Sequence, residues 1–202
     1  MQNTENVRHT GEKQHTERRT SAETTREIVI MAMFTALTYV FTWLINIRLP
    51  LPGTGGLIHL GNVPLFIAAM LFGKKTGAVS GAFGMGLFDL TSGWALWSPF
   101  TFVIVGLMGF EVGLFAEKKP IRNQFLNDLV SLIIALGIKV GGYYVAEGII
   151  TGNWLAPVGS IPGNVVQVGV ASIVVLALAP FLRRALRRSP LSAEMAHAAV
   201  KE

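Results

Sequence analysis

The chain has 202 residues, of which 51% are hydrophobic and only 14% charged, and its apolar residues fall in long blocks, which excludes an ordinary soluble domain. It contains no cysteine, and this absence excludes a disulfide framework and any thiolate metal or redox site. The net charge of +5 indicates membrane topology rather than nucleic-acid binding, because the basic residues flank apolar segments.

The N-terminal 27 residues are polar and balanced in charge, so we expect a disordered cytoplasmic tail. Residues 28–182 are predicted to form a membrane domain, and 183–202 form a basic cytoplasmic C-terminal tail. Six apolar segments are predicted to be transmembrane helices: 28–47, 63–72, 76–92, 100–116, 129–150 and 165–182. The second is short for a span, which needs about 20 residues. The predicted fold class is therefore all-α integral membrane, with six transmembrane helices.

The basic residues predict the orientation of these segments. Nearly all of them lie in the two tails or in the connections after the second and fourth segments. The exceptions are Arg48, in a loop, and Lys139, inside the fifth segment. Because positively charged connections stay in the cytoplasm, both termini are predicted to be cytoplasmic in a multi-pass plasma-membrane protein. Three nearly uncharged loops, 48–62, 93–99 and 151–164, would then face outside.

Polar residues from distant segments are predicted to converge at the outer level of the membrane. Charged groups in hydrocarbon are costly and usually face a water-filled cavity. Alternatively, Asp89 and Glu147 reach the lipid headgroups, the tryptophans form an interfacial belt, and Lys139 makes a structural ion pair. His59 is either a satisfied loop histidine or a contact of a lid. The candidate substrate-binding residues are His59, Asn62, Asp89, Trp94, Trp97, Lys139, Tyr143, Glu147, Asn164 and Gln167.

Within this set, Lys139, Tyr143 and Glu147 recur every four residues and share one helical face. The glycines between 77 and 86 are predicted to let helices pack closely. The sequence has no phosphate-binding loop, zinc-protease motif or nucleophile and base set. We therefore predict that the chain is not an enzyme, has no catalytic or metal-binding residue and needs no cofactor of its own.

Four sequence motifs follow one another along the chain: GGLIHLGN at 55–62, FDLTSG at 88–93, SPFTF at 98–102 and IPGNVVQ at 161–167. They resemble the S components, the substrate-binding subunits of energy-coupling factor (ECF) vitamin transporters, especially the group linked to hydroxymethylpyrimidine or pyridoxine uptake. The resemblance covers about residues 28–182. It departs from that group at Asn62, where Asp is frequent, and at Val105, where Lys is frequent. An amide at position 62 removes one charge, which would suit a neutral or differently charged cargo.

The resemblance implies a pocket that is open to the outside and covered by loop 48–62. That loop is rich in proline and glycine, and we expect a hinged lid rather than a fixed strand. Aromatic residues of the candidate set would stack on the cargo ring, and the acids and amides would bind its substituents.

The resemblance also implies partners: a transmembrane coupling subunit and two ATPase subunits, which use the ATP. Ala32 and Ala36 match the AxxxA motif through which S components dock on the coupling subunit. Two rival functions remain open from sequence. One is an intramembrane enzyme that uses Asp89 and Glu147, and the other is a proton-coupled secondary transporter with Lys139 and Glu147 as a relay.

Overall fold

The computed structural model describes residues 21–48 and 57–188. Its elements are α1 (Ser21–Leu44), β1 (Asn46–Arg48), β2 (Leu57–His59), α2 (Asn62–Thr91), α3 (Ser98–Lys118), α4 (Gln124–Thr151), a 3₁₀ helix (Ala156–Ser160) and α5 (Ile161–Arg188). Within these ranges, five helical stretches are long and apolar enough to cross a membrane. The architecture is that of a mostly helical, multi-pass membrane protein.

Helix α2 is a helical hairpin rather than one straight rod. Its backbone leaves the helical region at Gly73, whose φ of 87° favours glycine. Beyond that turn the chain runs back along itself, because Gly77 packs against Ala69 and Gly81 packs against Leu65. In a straight helix the first of these pairs would be roughly 12 Å apart. The two halves of the hairpin correspond to the second and third predicted segments.

The Gly73 turn is fixed by the end of α3. The Glu117 carboxylate accepts a hydrogen bond from the Lys74 backbone N–H over 3.0 Å and forms a salt bridge of 3.0 Å with the Lys74 ammonium. A Cβ atom at Gly73 would lie 2.5 Å from the same carboxylate. The backbone conformation therefore favours glycine at this position, and a larger residue would also displace the Glu117 carboxylate.

Glycines also set the distance between α2 and α3. A Cβ atom at Gly77 would lie 2.5 Å from the backbone oxygen of Gly109, and one at Gly81 would lie 2.8 Å from that of Val105. Real Cβ atoms do not approach other atoms so closely, so the two helices are in backbone contact. The predicted packing role of these glycines is confirmed. The buried side chains of this region include Leu65, Phe66, Met85, Met108 and Val112.

The first and last helices, α1 and α5, extend beyond the predicted membrane segments. Helix α1 begins at Ser21, before the predicted membrane segment 28–47, and α5 continues to Arg188, past the predicted segment 165–182. Parts of both predicted tails are thus helical, because Glu, Arg and Ala favour a helix and let it continue past the apolar segment. Residues 1–20 and 189–202 lie outside the described residues.

The connection between α1 and α2 contains two short strands. β1 and β2 pair antiparallel, with Asn46 opposite His59. The backbone oxygen of His59 also accepts a hydrogen bond of 3.2 Å from Gln167 Nε2 on α5. The prediction of a lid without a fixed strand is wrong for these two arms, because strand pairing satisfies their backbone groups. The tip, residues 49–56, lies outside the described residues.

Candidate functional site

Three side chains form a hydrogen-bonded chain that links α2, α3 and α4. Thr101 Oγ1 donates to Asp89 Oδ2, and the same oxygen lies 3.0 Å from the Tyr143 hydroxyl. A threonine hydroxyl has one proton, so with Thr101 donating to Asp89 the tyrosine must donate to Thr101. The start of α3 is held in place because Ser98 Oγ donates to the Gly86 carbonyl over 2.8 Å. The helix start thus positions Thr101 between its two partners.

Lys139 brings a buried positive charge to this chain. Its residue surface is only 2% exposed, and its ammonium lies 5.2 Å from the centroid of the Tyr143 ring. Lys139 also interacts electrostatically with Asp89. A carboxylate and an aromatic face together compensate part of the cost of removing an ammonium from water. Asp89 is therefore the acidic side chain that acts electrostatically on Lys139, without a direct ion pair between the two side chains.

An aromatic pair lies beside the hydrogen-bonded chain. The Trp97 ring is 6.3 Å from the Tyr143 ring between centroids, with a tilt of 39°. Trp97 is half-buried at the N-terminal end of α3. The preceding loop folds back on α2, because the Trp94 backbone N–H donates to the Asp89 carbonyl over 3.0 Å. Paired aromatic rings at this spacing can present an apolar surface to a flat ligand.

Asn62 is one of four described residues with buried side-chain polar atoms that have no hydrogen-bond partner; the others are Thr38, Ser80 and Glu111. Asn62 is completely buried at the start of α2, and neither atom of its side-chain amide has a hydrogen-bond partner among residues 21–48 and 57–188. A buried amide that forms no hydrogen bond costs free energy. A bound molecule or a water that offers both a donor and an acceptor would remove this cost.

His59 is buried beside the start of α2. Its Nδ1 accepts a hydrogen bond of 3.2 Å from the Gly61 backbone N–H, so the ring is neutral with its proton on Nε2. Burial, and then the positive charge of Lys139, hold the pKa of His59 well below its usual range. Of the two sequence interpretations, the structure favours a loop histidine whose hydrogen bond is made within the protein. This bond also fixes strand β2 near the cluster formed by Asp89, Thr101, Lys139 and Tyr143.

The remaining candidate residues differ in their burial and in their contacts with this cluster. Glu147 is 2% exposed and lies on the Lys139 face of α4. Gln167 is also buried and reaches the His59 backbone. Asn164 is half-buried, one turn before Gln167 on α5, and its side chain makes no hydrogen bond within the described part of the chain. Val105, the second departure from the family pattern, is buried in the α2–α3 interface.

Sequence reasoning missed Thr101, although it lies inside one of the strings that carry the resemblance. The available signal was a hydroxyl in the first turn of a membrane helix, two residues after a proline. That signal is weak, because threonine in a helix commonly bonds to the carbonyl four residues earlier. Thr42 on α1 shows this ordinary behaviour, since its Oγ1 donates to the Thr38 carbonyl over 2.7 Å.

The predicted docking residues lie on a different surface. Ala32 and Ala36 are exposed on α1 and line a groove of about 620 Å³ between this helix and the second half of α2. The far wall of the groove includes Val79, Phe83 and Leu87. Its lining is mainly small or apolar, in contrast with the charged cluster.

Comparison with known proteins gives concordant results. Residues 22–184 match the family model described as ECF-type riboflavin transporter, S component. The chain is 33% identical over 160 residues to the thiamine precursor transporter HmpT of Lactococcus lactis subsp. cremoris (strain MG1363), covering 79% of this chain and 89% of that relative.

Two solved structures share the fold. One is the S component of a bacterial ECF transporter, with a TM-score of 0.60 and 22% identity, covering 82% of this chain and 99% of the other. The second is the biotin S component of an ECF-type ABC transporter, with a TM-score of 0.56 and 19% identity over 80% and 95% of the two chains. The matched family consists of transport subunits, so the prediction that the chain is not an enzyme is confirmed. The chain belongs to the family of ECF transporter S components and is the substrate-binding membrane subunit of such a transporter.

Proposed function

We propose that this S component captures a single-ring heteroaromatic vitamin precursor of the hydroxymethylpyrimidine or pyridoxine kind. The observation that carries the proposal is the polar and aromatic cluster of α2, α3 and α4. It offers the Trp97–Tyr143 pair for a flat ring, and the buried polar groups of Lys139 and Asn62 for ring substituents. The thiamine precursor transported by the relative from L. lactis belongs to the same class of cargo.

Riboflavin is the competing cargo, because the matched family model carries its name. Its three-ring system and polyol chain are much larger than one pyrimidine or pyridine ring. The test is titration of the purified protein, in detergent, with hydroxymethylpyrimidine, pyridoxine and riboflavin, followed by calorimetry. We expect one of the two single-ring compounds to bind at least about tenfold more tightly than riboflavin, a difference of roughly 1.4 kcal/mol. Equal or tighter binding of riboflavin would overturn the assignment.

The proposed orientation places six membrane segments between two cytoplasmic termini, with the two halves of α2 as separate segments. The support is that basic residues lie at the Gly73 turn, at the end of α3 and at the end of α5. Because the chain has no cysteine, single cysteines can report sidedness. In intact cells we expect an impermeant maleimide to label Gly93→Cys and to leave Lys75→Cys unlabelled. The opposite pattern would reverse the topology.

The proposed partners are a transmembrane coupling subunit, which docks on the Ala32 and Ala36 face, and two ATPase subunits that hydrolyse the ATP. The exposed groove beside these alanines supports this assignment, because small residues let a second helix approach closely in lipid. The chain itself would use no cofactor. Liposomes that contain this chain alone should therefore take up no cargo, whereas uptake driven by a proton gradient would favour a secondary transporter.

A further inference from the structure

Asn62 lies at a helix start that offers its side chain no partner. An asparagine at such a position usually accepts a hydrogen bond from the backbone N–H two or three residues later. Two residues later stands Pro64, which has no N–H, and the Leu65 N–H already donates to the Gly61 carbonyl over 3.4 Å. The amide atoms of Asn62 accordingly have no hydrogen-bond partner in the described part of the chain. The amide therefore does not serve as a cap of α2.

The packing of the helices places Asn62 at the depth of the cluster. A Cβ atom added to its neighbour Gly61 would lie 3.1 Å from Met85 Cε, in the second half of α2. Met85 is level with Thr101, because the glycine contacts between α2 and α3 continue in one antiparallel register. Asn62 is completely buried at this level. Its amide is thus inside the protein at the depth where the cargo is proposed to bind.

His59 gives a second link between this helix start and the cluster. It lies three residues before Asn62, and the positive charge of Lys139 acts on its ring. The His59 carbonyl accepts a hydrogen bond of 3.2 Å from Gln167, so the segment that leads into α2 is held against α5. The Asn62 amide is therefore fixed in place before a ligand arrives, which lowers the cost of binding to it.

The amide presents a donor and an acceptor side by side. Its NH₂ group donates and its carbonyl oxygen accepts, both in one plane. Of the four described residues with buried, unpartnered polar atoms, Asn62 is the one that carries such a group. Adenine pairs with asparagine in this way, through a ring nitrogen and a nearby amino group. An aminopyrimidine has a comparable edge, because its amino group stands on the carbon beside a ring nitrogen.

We propose that Asn62 selects an aminopyrimidine cargo over a pyridine cargo, by pairing with the amino group and the adjacent ring nitrogen. The inference rests on the proposed function, since it chooses between the two single-ring cargoes. In pyridoxine the ring nitrogen lies between a methyl-bearing carbon and a C–H carbon, so no donor stands beside it. Pyridoxine leaves one atom of the Asn62 amide buried and unpaired, and this loss lowers its affinity.

The first test changes the ligand and leaves the protein intact. The purified full chain in detergent is titrated by calorimetry with hydroxymethylpyrimidine, with pyridoxine, and with the deamino analogue of hydroxymethylpyrimidine, in which hydrogen replaces the amino group. We expect hydroxymethylpyrimidine to bind about tenfold more tightly than either of the others, because each of them lacks one hydrogen bond of the pair. Equal affinities for hydroxymethylpyrimidine and its deamino analogue would overturn the proposal.

The second test changes the residue. Asn62→Leu keeps a branched side chain but removes the donor and the acceptor, so the affinity for hydroxymethylpyrimidine should fall about 30-fold. In this variant the amino and deamino compounds should bind equally, since the group that distinguishes them is gone. The matched control Ser80→Ala removes another buried, unpartnered polar atom of α2 and should keep the wild-type preference. A preference that survives in Asn62→Leu would assign the amino group to another residue and overturn the proposal.

The outcomes separate this inference from the proposed function. Tightest binding by riboflavin would overturn the single-ring cargo itself. Tighter binding of pyridoxine than of hydroxymethylpyrimidine, with riboflavin weaker than both, would leave the single-ring cargo standing and overturn the role of Asn62 alone. Thermal unfolding without cargo reports folding: Asn62→Leu should unfold at the wild-type temperature or above, because the amide that it removes makes no hydrogen bond in the described protein. The comparison of compounds on the wild-type protein does not depend on this variant.

Discussion

The cluster around Lys139 and the small-residue face of α1 differ in almost every physical property. The cluster is buried or half-buried, charged and linked by hydrogen bonds across three helices. The α1 face, around Ala32 and Ala36, is exposed and mainly apolar. Binding a small polar molecule requires groups that are held in place, whereas binding a helix in lipid requires an absence of bulk. Substitutions in the cluster should therefore affect stability and affinity together, and substitutions on α1 should affect neither.

The largest expected effect is a loss of uptake without a loss of cargo binding, which would show that the two regions act separately. Ala32→Trp should abolish uptake in cells that contain the coupling module, because an indole in the groove blocks the approach of a partner helix. The cargo affinity of the purified variant should equal that of the wild type, as measured by calorimetry. Ile173→Trp, which places the same bulk on an exposed position of α5, is the control and should transport normally. Loss of cargo binding in Ala32→Trp would contradict the separation.

The second prediction concerns the buried charges. Asp89→Ala should lower the free energy of unfolding by about 3 kcal/mol, because it removes the negative charge that acts on the buried Lys139 ammonium. The double variant Asp89→Ala with Lys139→Met removes both charges and should recover most of that stability, although cargo binding stays weak. Denaturant titration in detergent measures both effects. A double variant no more stable than Asp89→Ala would show that the two charges do not depend on each other.

A smaller effect is expected at the bridging hydroxyl. Thr101→Val keeps the shape of the side chain but removes the hydrogen bonds to Asp89 and Tyr143, so cargo affinity should fall by about 2 kcal/mol. Thr76→Val makes the same isosteric change near the Gly73 turn and should leave affinity unchanged. Equal affinities for the two variants, measured by calorimetry, would remove Thr101 from the binding site.

The smallest expected effect depends on pH. Because the folded protein holds the pKa of His59 below its usual value, the unfolded chain binds a proton more readily as the pH falls below about 6.5. The folded state should therefore lose about 1 kcal/mol between pH 6.5 and 5.5. His59→Gln can still accept the Gly61 hydrogen bond but does not titrate, so its stability should change less over this interval. Parallel stability curves for the two proteins would rule out His59 as the cause.

The sequence predicted where the apolar helices lie, because a helix that crosses a membrane requires a long apolar stretch. The structure has five helices of this kind among the described residues, and the count of six spans stays a prediction. The Gly73 turn divides two segments that the hydropathy pattern had already separated, and the close packing of Gly77 is confirmed. The strands of the lid were not predicted, because three-residue strands leave no periodic pattern. Their register depends on pairing between distant residues, which a local pattern does not record.

For the candidate site, depth in the membrane was a useful guide to proximity. Depth selected Asp89, and the spacing along one helical face selected Lys139 and Tyr143. The structure places these three residues in one interacting group. Their binding role stays a prediction. The same reasoning could not identify Thr101. It relies on the free energy that a charged group loses in hydrocarbon, and a hydroxyl does not show this cost. It also could not show that the Asn62 side chain would lack a hydrogen-bond partner, since its possible partners are known only once the neighbouring residues are packed around it.

The backbone contact between Gly77 and Gly109 has a consequence for how this protein can evolve. When two packed side chains clash after a substitution, a smaller neighbour can usually restore the fit. Here each residue is already the smallest one available, so no second substitution at the partner position can compensate. A change at either glycine must separate the α2 hairpin from α3. Among relatives that share this packing, both positions should therefore stay glycine, even in lineages that carry different cargo.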